Sequence, residues 1–578
     1  MSVNLCTISN MQGMTKKWLD PPKTISSLSV IERILHARGL EDKKAQISFL
    51  ESRLSSLNKP ESIPGVVDAA RILKTAIESK SRILIFGDYD ADGITASAVL
   101  FHVINTATNQ ADISIHIPDR VNEGYGLRAN AIQQFKEQGV DLILTVDCGI
   151  TAIEAAEKAK EYDIDLIITD HHQFREDGLL PECAAIAHPC IHGNKGEPLA
   201  GVGVAYMLAW AFAREWSGGE KVTKELERIL LNLLPLAAIG TVADMVPLQG
   251  DNRIIAKWGT NMLKDSVIDG IQAILDEMNL KTHLKASDIS FKIAPLLNAV
   301  GRLKHAGPAV DLLTTLQGPL ASSVASELAS INRKRQVIQK AMFSEVQQAV
   351  ELQQLNKKPI VILKNSEWER GVVGVAAGKC VEYYYRPTVL FVDDGVKLIG
   401  SARSISGFSI LDALKSCSEF LDEFGGHDMA AGVTLSRNHF DSFVQAMEKY
   451  AEQYLDIDSL VPTVSPDIDL TVEECKGIEV AEFLKLLPFG VGNKTPVATI
   501  RNVHVDEVKR FGSQGAHLSL KIGSSRSRIR CIWWGNGDKI EVLKRGALIS
   551  VVGKLGVNDF NGYQTIEMNL EDLSLPCP

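Results

Sequence analysis

The sequence lacks the cysteine patterns of a disulfide framework or a zinc ribbon. Its 578 residues include nine cysteines, an odd number, and no two of them form a C-x-x-C pair. Paired cysteine spacings mark small disulfide-rich secreted domains and structural zinc sites, so both classes are disfavoured. The cysteine usage instead indicates a reducing cytosol.

Apolar segments of membrane-spanning length are also missing. The first twenty residues have no apolar core of the signal-peptide kind. The two most apolar runs, residues 202–213 and 229–242, are shorter than the ~20 residues that a bilayer span requires. We therefore predict that both runs are buried core segments of a cytoplasmic protein.

An excess of positive charge is missing as well. The chain has 61 Lys and Arg against 71 Asp and Glu, which gives a net charge of −10. This balance excludes a protein that coats nucleic acid over its whole surface, although a locally basic groove is still compatible with it. The length predicts three to four domains, and 45% hydrophobic with 23% charged residues is typical of globular proteins.

From residue 72 onward, short apolar runs alternate with helical patterns. Strands are predicted at residues 83–86, 114–117, 142–146 and 166–169, with helices at 94–105, 127–138 and 151–161. Such alternation predicts right-handed crossovers and a parallel sheet that is covered by helices on both faces.

Acidic and imidazole side chains directly follow three of these strands. The groups are Asp88, Asp90 and Asp92 after the first strand, Asp147 after the third, and Asp170, His171 and His172 after the fourth. Asp244 follows a further apolar run, which we interpret as another strand. Because the carboxyl ends of parallel strands meet at one edge of a sheet, these side chains are expected to lie together where ligand sites form.

Each of these groups alone has a purely structural interpretation. An Asp-x-Asp pair before a glycine is commonly a turn or a helix cap, and a His-His pair is commonly packed at the surface or in a core. Their coincidence on one predicted edge favours a site. Carboxylates with one or two imidazoles and no thiolate favour Mn²⁺ or Mg²⁺ over structural zinc. The number of ligands suits two ions roughly 3.5–4 Å apart, an arrangement that fits attack on a phosphodiester.

The second half of the chain begins with an amphipathic helix over residues 320–355. Alternation then resumes, with strands predicted at residues 360–363 and 389–392 and helices at 375–383 and 410–415. We interpret residues 425–427 as a glycine-rich turn. Five short strands follow, at residues 503–508, 517–522, 528–534, 548–555 and 564–570. Five such strands predict a small OB-type β-barrel.

The predicted barrel combines basic and aromatic side chains. The basic residues are Lys509, Arg510, Lys521, Arg526, Arg528, Arg530 and Lys554. The aromatic residues are Phe511, Trp533, Trp534, Phe560 and Tyr563, and one of the two adjacent tryptophans must face the core because neighbours on a strand point to opposite faces. A basic groove with stacking aromatics is how single-stranded nucleic acids are bound.

The charged motifs, taken in order, resemble the four signature motifs of DHH-family phosphoesterases. The matching segments are residues 88–93, 147–149, 170–172 and 240–248. Further similarity lies at residues 123–127, 199–205, 298–302, 371–374, 400–405 and 425–432. Within that family the chain most resembles the bacterial single-strand-specific 5′→3′ DNA exonucleases, from about residue 70 to its end.

The resemblance implies an α/β fold with a parallel-sheet DHH catalytic domain, a long connector helix, a smaller α/β DHH-associated domain and a C-terminal OB-type β-barrel. We interpret residues 1–60, from their scattered apolar positions, as an N-terminal helical segment that caps the next domain. The domains that the resemblance implies are the catalytic domain (61–317), the connector (318–356), the DHH-associated domain (357–457) and the barrel (458–578).

The resemblance also implies roles for single residues. The implied ligands of two Mn²⁺ or Mg²⁺ ions are Asp88, Asp90, Asp147, His171 and Asp244. Asp170 and His172 would orient ligands or touch the scissile phosphate, supported by Asp92. The implied substrate contacts are Arg120, Ser401 and Arg403 at the 5′-terminal phosphate, with Arg302 and His427 as further contacts.

The implied activity is hydrolysis of single-stranded DNA from its 5′ end to mononucleotides, for DNA repair and recombination. A single-strand-binding protein and a helicase are the implied partners. Two alternatives stay open: a DHH-type phosphodiesterase for short oligoribonucleotides or cyclic dinucleotides, and an inactive DNA-binding relative. The chain departs from the family at Glu369, where a histidine is usual, and at Leu296, where an arginine is usual.

Overall fold

The computed structural model describes residues 11–23, 25–119, 123–124, 126–193, 198–282, 284–303, 305–456, 460–524, 526–560 and 562–575. The chain forms two compact units. The parallel-sheet unit comprises Ile47–Arg333 and Leu486–Lys494, and the barrel-containing unit comprises Met1–Gln46, Lys334–Lys485 and Thr495–Pro578. Each unit is described separately below.

The strands are, in chain order, β1 (Met11–Gln12), β2 (Lys17–Trp18), β3 (Arg82–Gly87), β4 (Asp112–His116), β5 (Leu142–Val146), β6 (Asp165–Thr169), β7 (Ala185–Ala187), β8 (Val361–Asn365), β9 (Thr388–Asp393), β10 (Lys397–Arg403), β11 (Glu423–His427), β12 (Ala430–Ser436), β13 (Thr463–Val464), β14 (Ile468–Asp469), β15 (Val497–Phe511), β16 (His517–Gly523), β17 (Arg528–Trp533), β18 (Leu548–Phe560) and β19 (Tyr563–Ser574).

The α-helices are, in chain order, α1 (Val30–Ala37), α2 (Lys43–Glu51), α3 (Val66–Glu78), α4 (Ala91–Ala107), α5 (Ala129–Glu137), α6 (Ile153–Glu161), α7 (Gly201–Trp216), α8 (Lys224–Ala243), α9 (Gly250–Met262), α10 (Asp269–Glu277), α11 (Ala286–Asp288), α12 (Ala294–Leu303), α13 (Gly307–Thr314), α14 (Gly318–Leu352), α15 (Val373–Tyr384), α16 (Ile410–Ser416), α17 (Phe440–Tyr454), α18 (Val472–Gly477) and α19 (Val480–Leu484).

The parallel-sheet unit is built on a five-stranded sheet of order β4-β3-β5-β6-β7, in which every pairing is parallel. Alternate residues of its strands enter two different hydrophobic clusters. Ile83 and Ile85 pack with α3, α4, α7 and α8, whereas Leu84 and Phe86 pack with α5 and α6. Both faces are therefore covered, which explains why the strands read as continuous apolar runs. The predicted parallel sheet with helices on both faces is confirmed.

The two long apolar runs of the sequence lie in α7 and α8 and are buried in the core. Their expected burial is correct, but the length argument was wrong for the second, because it is part of a 20-residue helix. Among the described residues, α8 alone is long and apolar enough to cross a membrane, and 67% of its apolar window is buried inside the protein. Helix α8 is therefore a core helix.

The barrel-containing unit has a five-stranded sheet of order β11-β12-β10-β9-β8. Strands β8 and β9 pair in parallel, and the other pairings are antiparallel. The predicted turn at residues 425–427 was wrong, because these residues form the second half of edge strand β11 and pair with β12. Small residues suited the extended edge as well as they suited a turn.

The C-terminal strands close into a barrel of order β15-β16-β17-β19-β18, with β18 returning to β15. Strand β15 has 15 residues, and its register shifts between Ile500 and Val503 and again between Val505 and Glu507. Such irregularities bend a strand, so the first part of β15 pairs with β18 and the second part with β16. The predicted OB-type barrel is confirmed, and four of its five strands are longer than expected.

The N-terminal segment belongs partly to the barrel. Trp18 is 1% exposed, and its indole Nε1 donates to a carboxylate oxygen of Asp572 at 3.0 Å. Arg33 forms an ion pair of 2.6 Å with Glu474. The expectation that this segment caps the following domain was wrong for residues 11–38. A buried indole requires an acceptor for its N–H, and a carboxylate of the last barrel strand supplies it.

Candidate metal centre

The first group of acids lies in the turn between β3 and α4. Asp90 is the N-cap residue of α4, and its Oδ1 accepts hydrogen bonds from the backbone N–H groups of Asp92 (2.9 Å) and Gly93 (3.2 Å). The capping interpretation of this Asp-x-Asp pair is therefore correct. The cap also fixes the positions of Asp88 and Asp90 at the carboxyl edge of the sheet, where their carboxylate oxygens lie close to that of Asp147.

Asp147 follows β5 in a strained backbone conformation. Its φ is 61°, in the left-handed region that non-glycine residues rarely adopt, and it is 2% exposed. Its backbone N–H donates to the carbonyl of Thr169 at 3.0 Å, which continues the pairing of β5 with β6. Strain of this kind is kept where the surrounding structure holds a functional side chain in place.

Asp170 is the hydrogen-bonding centre of the Asp-His-His turn after β6. Its carboxylate accepts from the backbone N–H groups of Ile150 (2.9 Å), His171 (2.7 Å) and His172 (3.1 Å), and from Nδ1 of His172 (2.7 Å). Burial acts to raise the pKa of Asp170, but these hydrogen bonds and the charge of His172 outweigh it and lower the pKa to about 2. Asp170 is thus an ionised acceptor that orients the turn.

The two histidines of this turn differ in their electrostatics. Burial, reinforced by the charge of His172, lowers the pKa of His171 to about 4, so His171 is a neutral imidazole. Burial also acts to lower the pKa of His172, but the hydrogen bond and charge of Asp170 raise it to about 9. A neutral imidazole can bind a metal ion, whereas a protonated one can contact a phosphate.

His171 points towards three carboxylates. Its Nε2 lies 3.1 Å from Oδ1 of Asp147, 3.6 Å from Oδ2 of Asp244 and 4.0 Å from Oδ2 of Asp92. The turns after β5 and β6 and the end of α8 therefore converge on one point.

Asp244 does not follow a strand, and that part of the prediction was wrong. It is the C-cap residue of α8, and Met245 next to it has a φ of 63°, a left-handed conformation typical of helix ends. The apolar run before Asp244 is continuous because α8 is buried, and a short apolar run does not distinguish a buried helix from a strand. Burial and the charge of Asp90 raise the pKa of Asp244 to about 6.

These residues fit a site for divalent cations. The buried atoms Asp147 Oδ1, His171 Nε2 and Asp244 Oδ2 have no hydrogen-bond partner in the described part of the chain. Three sets of side chains bring their ligand atoms within 4.8 Å of one another: Asp88, Asp90 and Asp147; Asp147, His171 and His172; and Asp92, His171 and Asp244. Buried polar atoms normally have partners, and oxygen donors with imidazole suit Mn²⁺ or Mg²⁺.

Mutual repulsion among the acids supports the same interpretation. Burial, followed by the charges of Asp92, Asp90, Asp88 and Asp244, raises the pKa of Asp147 well above its usual range. Burial, followed by Asp244 and Asp90, raises the pKa of Asp92 in the same direction. A cluster of buried carboxylates is unfavourable unless a cation compensates their charge.

Asp92 connects two helices below this cluster. Its Oδ2 accepts from the backbone N–H of Gly201 at 2.7 Å, and its Oδ1 accepts from Val202 at 2.8 Å. Both donors belong to the first turn of α7, where the helix dipole favours a negative charge. Asp92 therefore fixes α7 against α4, which agrees with a supporting role.

Gly201 brings the start of α7 against Asp147. A Cβ atom at Gly201 would lie 2.6 Å from both Cβ and Cγ of Asp147, a distance that side chains do not tolerate. At Gly203, on the same helix, the three atoms nearest to an added Cβ all belong to the side chain of Leu199, and the closest lies at 3.3 Å.

We therefore expect Gly201→Ala to displace the Asp147 carboxylate and to weaken Mn²⁺ binding about tenfold or more, as changes next to metal ligands commonly do. Isothermal titration with Mn²⁺ measures this, and Gly203→Ala is the matched control, with binding close to that of the parent. Equal affinities of the two variants would contradict the proposed contact.

The predicted substrate contacts lie in several places. Ser401, Arg403 and His427 belong to the mixed sheet of the barrel-containing unit, where Ala430 pairs with both Arg403 and His427. Residues paired directly across strands point to the same face, so these side chains share a face. A guanidinium nitrogen of Arg403 donates to Oγ of Ser401 at 2.8 Å.

Arg302 lies near the end of α12 in the parallel-sheet unit and is half-buried. Arg120 lies outside the described residues, as does the side chain of Phe560. Leu296, where the family pattern has an arginine, is fully buried in the core.

Two supporting residues, Asn298 and His188, were not predicted from the sequence. Oδ1 of Asn298 accepts from the backbone N–H of Ala91 at 2.6 Å and so supports the first acidic turn from α12. His188 contacts the turn after β6. Asn298 lies in a segment of family resemblance, which was a usable signal, whereas no local pattern marks His188.

The barrel carries an exposed aromatic cluster. Trp534 is 55% exposed, and its ring centroid lies 4.9 Å from that of His517 and 5.5 Å from that of Phe511. Its indole Nε1 donates to Asn569 at 2.9 Å, which fixes the ring. Trp533 is 2% exposed, so one tryptophan faces the core and the other faces solvent, as predicted.

Most of the basic residues predicted to line a groove are paired with acids. The ion pairs are Lys509–Glu507, Arg510–Glu541, Lys521–Glu507, Arg528–Asp506, Arg530–Glu567 and Lys554–Glu571. The charges of these basic residues are therefore largely compensated by neighbouring acids. Exposed ion pairs are weak, so phosphates can compete for these cations.

Comparison with known proteins agrees with this architecture. Three family models match the chain: the DHH family N-terminal domain over residues 82–241, the DHHA1 domain over 357–453 and the RecJ OB domain over 466–572. The single-stranded-DNA-specific exonuclease RecJ of Bacillus subtilis (strain 168) is 35% identical over 559 residues, covering 94% of this chain and 68% of that protein. The chain belongs to the RecJ family.

Solved RecJ structures share the fold. RecJ from Thermus thermophilus in complex with Mn²⁺ matches with a TM-score of 0.79 and 29% identity, covering 94% of this chain and 76% of that chain. The same protein in complex with Mg²⁺ matches with a TM-score of 0.73 and 27% identity, covering 97% of this chain and 78% of that chain. RecJ-family membership therefore extends over the catalytic, associated and barrel parts of the chain.

Proposed function

We propose that this RecJ-family chain is a single-strand-specific DNA exonuclease that hydrolyses its substrate from the 5′ end, releases 5′-mononucleotides and uses two Mn²⁺ or Mg²⁺ ions. One observation carries the proposal: the carboxylates and His171 converge at one sheet edge, with buried ligand atoms that lack hydrogen-bond partners in the described residues. The names of the relatives and the Mn²⁺ and Mg²⁺ complexes of RecJ support it.

The proposed ligands are Asp88, Asp90, Asp147, His171 and Asp244. When bound, two divalent ions would polarise the scissile phosphate and lower the pKa of a water nucleophile. Asp170 keeps the backbone and the ring of His172 in place. His172 is partly exposed and protonated at neutral pH, so we assign to it a contact with the scissile phosphate.

We assign the 5′-terminal phosphate to Arg120, Ser401 and Arg403, with Arg302 and His427 as further substrate contacts. Arg403 carries the planar donor fork that suits a terminal phosphate. Gly374, Gly425 and Gly432 support this assignment. An added Cβ at Gly374 would lie 2.9 Å from Ser401 Oγ and from a guanidinium nitrogen of Arg403, and Gly432 pairs with Ser401 and Gly425. Small residues here let a phosphate approach the backbone closely.

The direct test compares 5′-labelled and 3′-labelled single strands, with duplex controls, in Mn²⁺ and in Mg²⁺. A 5′→3′ exonuclease releases the 5′ label at once as a mononucleotide and the 3′ label only after digestion of the strand. Early release of the 3′ label, or equal digestion of duplex, would contradict the proposal. Rapid turnover of dinucleotides with intact long strands would favour the small-substrate phosphodiesterase instead.

A substitution in the barrel tests whether the substrate is a long single strand or a dinucleotide. We expect Trp534→Ala to weaken binding of a long single strand by about 1–3 kcal/mol, the usual contribution of one base stacked on an aromatic ring. Turnover of a dinucleotide should not change. A fluorescence anisotropy titration measures the affinity, and Tyr454→Ala removes an equally exposed aromatic, 58% against 55%, from a helix outside the barrel as control.

The barrel is tested by a point substitution because Trp18 and Arg33 pack on it, so a truncation would expose buried surface of the N-terminal segment. The affinity should also fall with salt, with a slope of about −0.7 for each phosphate neutralised. Unchanged affinity of Trp534→Ala, or binding that does not depend on salt, would exclude this surface.

The location, the cellular role, the partners and the domain boundaries of the protein are also proposals. We infer a cytoplasmic protein that acts in DNA repair and recombination, with a single-strand-binding protein and a helicase as partners. We keep the domain boundaries at residues 60, 317, 356 and 457. The alternative of an inactive DNA-binding relative is disfavoured, since every proposed metal ligand is present in the sequence.

A further inference from the structure

His188 lies directly behind the Asp-His-His turn. It follows edge strand β7, is 1% exposed and does not belong to any of the three sets of ligand atoms found among the described residues. Strand β7 pairs with β6 in parallel, and the backbone N–H of Asp170 donates to the carbonyl of Ala187 at 3.2 Å. The pairing therefore places His188 beside the turn.

The hydrogen bonds of His188 define its tautomer. Its Nδ1 accepts from the backbone N–H of Cys190 at 3.1 Å, so Nδ1 is unprotonated. The proton is then on Nε2, which donates to the backbone carbonyl of His172 at 2.9 Å. The ring also packs against Phe174, with 4.6 Å between ring centroids. Contacts on three sides thus fix the imidazole.

The turn is consequently held from two directions. Asp170 accepts from the backbone N–H groups of His171 and His172 on one side. His188 donates to the carbonyl of His172 on the other. With both ends of this backbone fixed, the rings of His171 and His172 have little freedom to rotate away from Asp147.

We propose that His188 is a positioning residue for the metal centre, acting through the His172 carbonyl. The inference rests on the proposed function. It predicts that only the Nε2 donor matters for the site, because the bond to Cys190 orients the ring but does not reach the turn.

Two substitutions separate the nitrogen atoms of His188. The side-chain amide of Gln can place a donor near the position of Nε2, whereas the amide of Asn reaches only the position of Nδ1. His188→Gln should therefore keep the bond to His172, and His188→Asn should lose it. His102→Asn is the matched control, since His102 also bonds a backbone carbonyl (Leu313, 2.8 Å) in the same unit.

The first readout is Mn²⁺ affinity, measured by isothermal titration with the metal alone. We expect His188→Asn to raise the Kd about tenfold, as loss of an outer hydrogen bond at a metal site commonly does. His188→Gln and His102→Asn should stay within about threefold of the parent. Digestion at saturating Mn²⁺ should show a lower kcat for His188→Asn with an unchanged KM for the DNA strand.

Equal Mn²⁺ affinities of the two His188 variants, or an equal loss in His102→Asn, would overturn the proposal. If His188→Asn does not fold, His188→Gln decides alone, because loss of Mn²⁺ affinity in that variant contradicts a role carried by the Nε2 donor. A parent that binds Mn²⁺ without digesting DNA would remove the proposed function and leave the comparison of His188 variants intact.

Discussion

Asp147→Asn should reduce Mn²⁺-dependent digestion of single-stranded DNA by a factor of about a thousand or more, a loss at the upper end of those seen when one electrostatic group is removed from an active site. Asp147 belongs to two of the three sets of converging ligand atoms, and its Oδ1 lies 3.1 Å from Nε2 of His171. Loss of its charge therefore affects both proposed ion positions.

Asn is the informative replacement at this position. The backbone of Asp147 has a φ of 61°, which Asn tolerates and Ala does not. Asn also keeps the size of the side chain, so a loss of activity reports the loss of the carboxylate charge and of one ligand oxygen, without added backbone strain. With Ala, backbone strain would be added to the loss of the ligand.

The same substitution should stabilise the metal-free protein. Burial and the neighbouring carboxylates make ionised Asp147 unfavourable, so a neutral amide should raise the free energy of unfolding by about 1–3 kcal/mol. Mn²⁺ should raise the Tm of the parent and leave that of Asp147→Asn nearly unchanged. Opposite effects on activity and stability are the expected signature of a ligand.

The control is Asp165→Asn. Asp165 is exposed at the start of β6, at the other end of the strand from the Asp-His-His turn. This variant should keep the activity and the Mn²⁺ response of the parent. Digestion at the parent rate by Asp147→Asn, or an equal increase of its Tm with Mn²⁺, would show that Asp147 is not a ligand.

The acids could be found in the sequence because strand ends carry local signals. Asp88, Asp147 and Asp170 each follow a short apolar run, and parallel strands bring such ends to one edge. Asp244 shows the limit of this reasoning. A buried helix presents the same apolar run as a buried strand, so its location was predicted correctly at the cluster but on the wrong element.

The contacts of Gly201 and His188 could not be predicted from local spacing, because they are tertiary. Gly201 matters only because α7 begins against Asp147, and His188 matters only because β7 pairs with β6. Neither contact leaves a trace in local spacing. The sequence was also misleading at the barrel, where acids pair with basic residues that were predicted to line a groove.

In the metal-free protein, the free energy of unfolding should fall as the pH rises from about 6.5 to 9. Burial, with neighbouring carboxylates, raises the pKa of Asp147 and Asp92, so the folded state keeps protons there that the unfolded chain releases. Burial lowers the pKa of His172, but Asp170 outweighs it and raises the value to about 9, so its favourable charge is also lost over this range. Each group stabilises the folded state at low pH and loses that contribution as the pH rises.

At lower pH, the contributions of Asp244 and His171 to the free energy of unfolding largely offset each other. Burial and Asp90 raise the pKa of Asp244 to about 6, so its contribution declines as the pH rises from about 4 to 6. Burial and His172 lower the pKa of His171 to about 4, so its contribution grows as the pH rises from about 4 to 6.5. The loss from Asp147 and Asp92 therefore begins near pH 4, about the usual pKa of an Asp carboxyl, and the loss from His172 adds to it from about pH 6.5. One pKa unit corresponds to about 1.4 kcal/mol, and allowing for the partial exposure of His172 we expect a loss of about 2–4 kcal/mol by pH 9.

Urea unfolding of EDTA-treated protein at several pH values measures this loss, and Asp147→Asn should show a shallower decline than the parent. Saturating Mn²⁺ should reverse the trend, because a metal ion binds the deprotonated ligands and so stabilises the folded state more at higher pH. The reversal follows from the geometry: the carboxylates that destabilise the metal-free protein are those that converge on His171. A free energy of unfolding that does not change from pH 6.5 to 9 without metal would mean that these acids do not repel one another. The electrostatic argument for a cation among them would then be contradicted.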